Sequence, residues 1–236
     1  MAAKFSEVYK DYIWEENRKA NNLELFGNGS GPGSGVYASQ EVRSCLTDVI
    51  RRRKISSILD APCGSFNWQP LFLRDISQSR NISIRYHGVD IVSHVIAANK
   101  ANHNKVPNIT FDVADITLAT FSSFDLIIAR DVFLHLSYDK IFCALNAFSR
   151  SNSSYLLTTT FPDLDNYKAR PGRVDHIRGR PLNAGGYRSV NMQAAPLLLP
   201  QPVEFCRENK FTRSLGLWKL PLPIFKYDAN DNVLKC

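Results

Sequence analysis

From residue 55 onward, short apolar runs alternate with stretches of helical periodicity, and this alternation constrains the fold more than any other feature. "ISSILDAP" reads as a buried strand from Ile55 to Asp60 that ends in a Pro/Gly turn, "IRYHGVDI" as a second from Ile84 to Ile91, and "ITFDVAD" as a third. "FDLIIARD" is a fourth, Phe124 to Ala129, and "SYLLTTTF" a fifth, Tyr155 to Phe161. Between them the spacing predicts helices over 67–77, over 92–102 with Val92, Val95, Ile96 and Asn99 on adjoining turns, and over 138–149 with Ile141, Leu145 and Phe148. Strands that alternate with helices make right-handed βαβ units and hence a parallel sheet. The ending differs. "VEFCRE" and "SLGLWKL" stand only about six residues apart, too few for a helical crossover, so they should pair as an antiparallel hairpin.

Ahead of the first strand, Phe5, Val8, Tyr9, Tyr12 and Ile13 follow the spacing of a helix with one buried face. Ser39 is placed to cap a second helix whose apolar positions are Val42, Cys45, Leu46, Val49 and Ile50, and whose end carries Arg51, Arg52, Arg53 and Lys54, cations that suit a helix C-terminus. The stretch "FGNGSGPGSGVYAS" joins the two. No lysine follows its last glycine and no strand precedes its first, so it is not a phosphate loop of the GxxxxGK[ST] type. It is either a linker or a lid; as a lid, its glycines would be the hinge and Tyr37 the side chain that covers the site. The expected organisation is an N-terminal helix and glycine-rich lid over 1–38, followed by one domain over 39–236 with a substrate-side insertion at about 163–200.

The chain shows no apolar run long enough to span a bilayer and no apolar signal core at its start, which reads as a cytoplasmic protein with no membrane partner. Five cysteines (45, 63, 143, 206 and 236), widely spaced and without a CxxC pair, indicate neither a disulfide framework nor a zinc site. A net charge of +7 favours an anionic partner such as RNA or a phosphorylated substrate. Much of the excess lies in Arg51 to Lys54 and in residues 168–188 rather than in one helical stripe, so solvated surface charge explains it equally well. Nothing in these residues fixes an oligomeric state.

In an open α/β sheet, ligands sit beyond the carboxyl ends of the strands. The first strand ends "ILDAPCGSFNW", where Gly64 lets backbone N–H groups approach a ligand and Asp60 can orient the turn or meet a cationic ligand group. The second ends in Asp90, an acid able to accept both hydroxyls of a ribose. The third ends "VADI", offering Asp115 to an adenine amino group, with Ile91 and Ile116 as apolar walls. One acid at a strand end is usually a cap; three in succession are harder to ascribe to capping.

These pieces resemble the class I S-adenosylmethionine-dependent methyltransferases over roughly residues 40–220: "ILDAPCG", "YHGVDI", "FDVADI", "FDLIIARDVFLHLS", "YLLTTTFP" and "SLGLWKL", in family order and spacing. More narrowly, "SGPGSG…DAPCGSFNW…RDVFLHL…LLTTTF" is similar to a mostly uncharacterised, largely bacterial-type subgroup. The resemblance implies an α/β, Rossmann-like, seven-stranded and mostly parallel sheet with an antiparallel C-terminal hairpin and helices on both faces. It implies S-adenosyl-L-methionine as cofactor, with Gly64 and the Ala61–Ser65 turn, Cys63 included, facing the methionine moiety, Asp90 the ribose, and Asp115 with Ile116 the adenine. Asp60, Asn67, Trp68, Ile91 and Arg130 complete the expected cofactor set. One departure stands out: where most members have D-x-G-x-G-x-G, this chain has Asp60-Ala61-Pro62-Cys63-Gly64-Ser65-Phe66, keeping only the middle glycine. Pro62 and Phe66 remove glycines that a dinucleotide pyrophosphate needs, whereas S-adenosylmethionine has no phosphate.

Methyl transfer needs an aligned nucleophile and, for a hydroxyl, a base. "ARDVFLHLS" supplies Asp131 and His135; a helical turn there would put them on one face, with His135 or Asp131 as base and the carboxylate able to orient the imidazole, or merely as a structural histidine and a cap. The fifth strand lacks the Asn/Asp-Pro-Pro-aromatic signature of amino-group methylation, and no lysine-aspartate-lysine-glutamate set can be placed, so nucleic acid is not favoured as substrate. The stretch after that strand offers Arg170, Arg178, Arg180 and Arg188 as anion contacts, or as solvated loop charges, while "AAPLLLPQP" reads as a buried rim. No metal set stands out. The expected reaction is methylation of a small-molecule or sugar-like hydroxyl, anionic acceptors included, with RNA, protein or a non-catalytic binding role as alternatives.

Overall fold

The computed structural model describes residues 1–10, 29–80, 83–166, 186–208, 213–226, 234 and 236. Its seven strands are β1 (Ser57–Asp60), β2 (Arg85–Asp90), β3 (Ile109–Val113), β4 (Leu126–Ala129), β5 (Tyr155–Thr160), β6 (Glu204–Arg207) and β7 (Ser214–Lys219), in the sheet order β3-β2-β1-β4-β5-β7-β6. β1 with β2, β2 with β3, and β4 with β5 pair in parallel, whereas β7 runs antiparallel to both β5 and β6. The hairpin expected from the short spacing of the last two runs is therefore present, and each expected strand is found with its ends trimmed. Among the described residues the α-helices are α1 (Ala2–Lys10), α2 (Gln40–Arg53), α3 (Gln69–Arg80), α4 (Ser93–His103) and α5 (Tyr138–Arg150). The chain divides into two compact units, Met1–Ala114 and Asp115–Cys236.

In the first unit, β1 is buried at all four positions, the pattern of a parallel strand covered on both faces. β3 is an edge-type strand that buries only Phe111. α2 turns Val42, Leu46, Val49 and Ile50 inward as its periodicity requires, and it ends where Lys54 takes a left-handed φ of 55° and its N–H bonds the carbonyls of Ile50 and Arg51. Arg51, Arg52 and Arg53 fill the last turn, where cations meet the negative end of the helix dipole. The expected Ser39 cap is not made. Its hydroxyl donates to the Val36 carbonyl at 3.1 Å instead, because the residue has φ −96° and ψ 2° rather than the extended backbone a cap needs.

In the second unit, β4 is wholly buried and α5 buries Ile141, Phe142, Leu145 and Phe148. After β7 the chain returns along α5: Leu222 N–H donates to Ser149 Oγ at 3.1 Å, Phe225 exchanges two hydrogen bonds with the Asn146 amide at 2.7 and 2.8 Å, and Cys236 is bonded to Cys143. This disulfide corrects the sequence reading of the cysteines, which saw no pairing because 93 residues separate the partners. Cys63 is the free cysteine among the described residues. The expectation of a cytoplasmic setting gains nothing from the bond, since disulfides persist chiefly in oxidising compartments. Among the described residues no helix is long and apolar enough to cross a membrane.

The ends of the long connection after β5 are pinned by two asparagines. Asn166 donates to the carbonyls of Asn191, Ala194 and Ala195 and accepts the Asn191 N–H at 2.8 Å, while Asn191 donates to the carbonyls of Pro162 and Leu164. Leu197 and Leu199 are buried beyond them, so "AAPLLLP" is a rim as expected, with Leu198 facing out.

Candidate functional site

In the first unit the turn after β1 is built around Gly64. Cys63 N–H bonds the Val89 carbonyl at 2.8 Å, fixing the turn to β2. Gly64 has φ +57°, its N–H donates to Asp90 Oδ2 at 3.2 Å, and its carbonyl accepts the Asn99 side-chain amide at 2.8 Å. A Cβ at this position would stand 2.7 Å from Ser30 Oγ and 3.2 Å from the Tyr9 hydroxyl, so a larger residue would strain the left-handed backbone and push the Ser30 side chain aside.

Asp60 lies beneath the turn, 1% exposed, and its Oδ2 accepts the Tyr86 hydroxyl at 2.6 Å and the Gln69 amide at 2.8 Å. Gln69 also donates to the Cys63 carbonyl at 2.9 Å. Of its two expected roles, orienting the turn is the one its bonds describe. Asp90 is also buried. It accepts the N–H groups of Gly64 and, at 3.0 Å, of Val92, and burial pushes its carboxyl up to about 6 against the pull of the Val92, Gly64 and Ile91 N–H groups. A carboxylate so held keeps lone pairs for hydroxyl donors.

Phe66 occupies the position of the last missing glycine. It holds a left-handed φ of +51°, and its buried ring packs on Tyr86, His103 and Phe111 at centroid distances of 4.8–5.0 Å. Phe66 thus keeps a left-handed backbone, the conformation glycine favours, while its side chain goes into the core. Ala61 and Trp68 are buried, Trp68 against Phe72, and the Asn67 amide donates to the Ser34 carbonyl at 3.1 Å. Ile91 is half-buried.

The N-terminal segment sits on this turn. Ser30 Oγ accepts the Ser65 N–H at 2.8 Å, is hydrogen-bonded to Ser65 Oγ, and meets the Tyr9 hydroxyl at 3.1 Å. Tyr37, expected to cover the site, is 73% exposed. Sequence reading passed over Ser30 and Tyr9 because a serine among glycines and a tyrosine on a helical stripe carry no signal of their own. Asn99 did carry one, as an amide on an otherwise apolar stripe.

In the second unit Asp115 closes a turn: its Oδ1 accepts the N–H and hydroxyl of Thr117 at 2.9 and 2.7 Å, and Ile116 behind it is buried. At the end of β4 a ring of four charges is closed. Arg130 donates to Glu208 Oε1 at 2.7 and 3.0 Å and lies 3.6 Å from Asp131; Arg213 donates to Glu208 Oε2 at 2.6 Å and to Asp131 Oδ2 at 2.8 Å. Thr159 receives the Asp131 N–H and donates its own proton to the carboxylate, while Asp131 holds a left-handed φ of 56°. Burial raises the Asp131 carboxyl, but Arg130, Arg213, the Thr159 hydroxyl and His135 outweigh it, so the acid stays below the usual carboxylate range. Asp131 is therefore poorly suited to take a proton, and Arg130 faces its acidic partners.

The helical turn expected to align Asp131 with His135 does not form, because the left-handed Asp131 breaks it; a 3-10 turn over Phe133–His135 follows instead. His135 Nδ1 is hydrogen-bonded to the Gly186 carbonyl at 2.8 Å. A carbonyl only accepts, so Nδ1 is the nitrogen that donates here, and in the neutral form of the ring Nε2 is the basic one. Two residues on, Arg188 N–H bonds the Leu134 carbonyl at 2.9 Å and its guanidinium bonds the Leu136 carbonyl, so the 186–188 segment clasps the histidine from both sides. Arg188 is buried, whereas Arg170, Arg178 and Arg180 lie outside the described residues. Among the described residues, no group of three His, Cys, Asp or Glu could hold a metal ion.

Residues 53–170, half of the chain, match the methyltransferase domain family. The chain belongs to the class I S-adenosylmethionine-dependent methyltransferases. Its cofactor is S-adenosyl-L-methionine. The fold agrees. Magnesium protoporphyrin IX methyltransferase from Synechocystis PCC 6803, solved with S-adenosylhomocysteine, superposes with a TM-score of 0.58 at 8% identity, over 93% of this chain and 98% of that one. The PH0226 protein from Pyrococcus horikoshii OT3 gives 0.57 at 15% identity over 87% and 99%. Phosphoethanolamine N-methyltransferase 1 from Haemonchus contortus gives 0.54 at 12% identity, and this methyltransferase, though 97% covered, spans about half of that chain (51%). No curated protein matches the sequence.

Proposed function

We propose that this methyltransferase methylates a hydroxyl of a small molecule or sugar-like acceptor, with His135 taking the proton. The observation that supports this most directly is the bond from His135 Nδ1 to the Gly186 carbonyl, which sets Nε2 as the basic nitrogen. Bound S-adenosylmethionine supplies an electrophilic methyl group on a sulfonium sulfur. His135 Nε2 would take the proton that the acceptor hydroxyl gives up as the methyl group leaves the sulfonium sulfur for the acceptor oxygen. Most of the rate comes from holding the two partners aligned, and the base adds about 10²–10⁴-fold.

The residues of the first unit fit the cofactor. Gly64, whose φ of +57° suits glycine, brings backbone to the methionine moiety, and Asp90 accepts the ribose hydroxyls. Asp115 and Ile116 serve the adenine in this reading. Asp131 and Arg130 position the strand end instead, since their charged groups are engaged with Arg213 and Glu208. The test is transfer of a labelled methyl group to a fractionated extract: label in small, base-stable ether products lost with His135→Asn supports O-methylation, while label recovered only in RNA or protein rejects it.

A further inference from the structure

Among the described residues of the second unit, Arg188 is a buried charge without a carboxylate partner. The two other buried or half-buried guanidiniums near the end of β4, Arg130 and Arg213, are matched by two carboxylates, Asp131 and Glu208, in a closed ring. Arg188 is 5% exposed, and among the described residues no carboxylate meets it. Its guanidinium bonds one backbone carbonyl, that of Leu136, and lies 4.3 Å over the ring of Tyr138; its Nε–H is buried without a hydrogen-bond partner.

The contacts do not balance the charge. A buried guanidinium needs its donors paired, whereas Arg188 has one carbonyl, one aromatic face and an unmatched Nε–H. Burial accordingly pulls the Arg188 pKa below its ordinary value, although Tyr138 opposes the shift. A planar fork with an unmatched N–H is suited to one class of partner, an oxyanion. The location is informative as well, because the same side chain reaches the carbonyl of the residue next to His135.

We propose that Arg188 anchors an oxyanion of the methyl acceptor, a carboxylate or phosphate, so that the acceptor's hydroxyl is presented to His135. This inference rests on the reading of His135 as base. It narrows the substrate to anionic hydroxy compounds.

The test uses the full chain and thermal melting in inorganic phosphate or malonate against chloride at equal ionic strength. Phosphate, malonate or both should raise the melting temperature of the unmodified protein and of His135→Asn, and the anion that does so identifies the oxyanion. In Arg188→Gln the half-saturating concentration should rise about tenfold or more. An equal response in Arg188→Gln, or none over chloride in the unmodified protein, overturns the proposal. Should Arg188→Gln melt too early to be read, Arg188→Lys decides: a weakened response supports the anchor and an unchanged one overturns it. Methylated product that passes an anion-exchange resin unretained also overturns it. A His135→Asn protein with full turnover but a normal anion response would sink the base and leave the anchor standing.

Discussion

The Gly186 carbonyl accepts a hydrogen bond from Nδ1 of His135 at 2.8 Å, across 51 residues of chain. If Nε2 is the base, His135→Asn should lower kcat by about 10²–10⁴-fold while the dissociation constant for S-adenosylhomocysteine stays within about twofold. The bond itself is visible in the imidazole nitrogen shifts: neutral His135 should be the Nδ1–H tautomer, and an Nε2–H tautomer would contradict it.

As the proposed ribose acceptor, Asp90 should make binding pH-dependent. Its carboxyl titrates at about 6, so affinity for S-adenosylhomocysteine should fall as pH drops from 7 to 5, with a midpoint near 6, because the ribose hydroxyls need the ionised acceptor. The stability effect has the opposite sense. The folded state holds this proton up to about pH 6 and the unfolded state releases it near 3.8, so between those values rising pH destabilises the fold, by about 3 kcal/mol in all. Asp90→Asn should flatten that slope in thermal melts while weakening ligand binding at least about tenfold in calorimetry.

Glu208→Gln should be among the most damaging single changes. It leaves Arg130 and Arg213 facing one carboxylate instead of two, at a cost of about 3–5 kcal/mol in the denaturation midpoint. Asp131→Asn belongs to the same class, and the Asp131 contribution, held by a depressed pKa, is lost as pH falls through the acid range. Were Asp131 the base, its variant would lose turnover at unchanged stability.

Phe66 predicts an inverted order of substitutions. Alanine empties the ring's place among Tyr86, His103 and Phe111, about 3–5 kcal/mol, and keeps the strain of a left-handed backbone. Glycine, although smaller, removes that strain and should be less destabilising than alanine by about 1 kcal/mol. Urea melts of the two variants decide it.

Ser30 holds the Ser65 N–H in the turn proposed to take the methionine moiety, and a lid reading of the glycine stretch predicts that this contact opens on binding. The observed association rate for S-adenosylhomocysteine should level off as its concentration rises, and Ser30→Ala should lift that ceiling. A rate that stays linear to saturation would show that no such step limits entry.

The strands, their parallel pairing and the closing hairpin were legible because hydrophobic period and spacing report burial directly. The acids Asp60, Asp90 and Asp115 were legible as strand-end residues, but not their division of labour: Asp60 is taken up by Gln69 and Tyr86, which stand 9 and 26 residues away. The charge ring was illegible, since Glu208 lies 78 residues from Arg130 and nothing local marks the pair. The left-handed Asp131 was missed for another reason. A helical period was assumed across it, whereas Thr159 on β5 fixes its N–H and carboxylate.

The return of the tail along α5 has a mechanical consequence. Leu222 and Phe225 are held by Ser149 and Asn146 through hydrogen bonds, but Cys236 is held by Cys143 covalently. A pull on Cys236 therefore loads α5 directly and leaves the β7 ladder slack. Reduction of the sulfur–sulfur bond should therefore lower the force that first detaches Cys236 from α5.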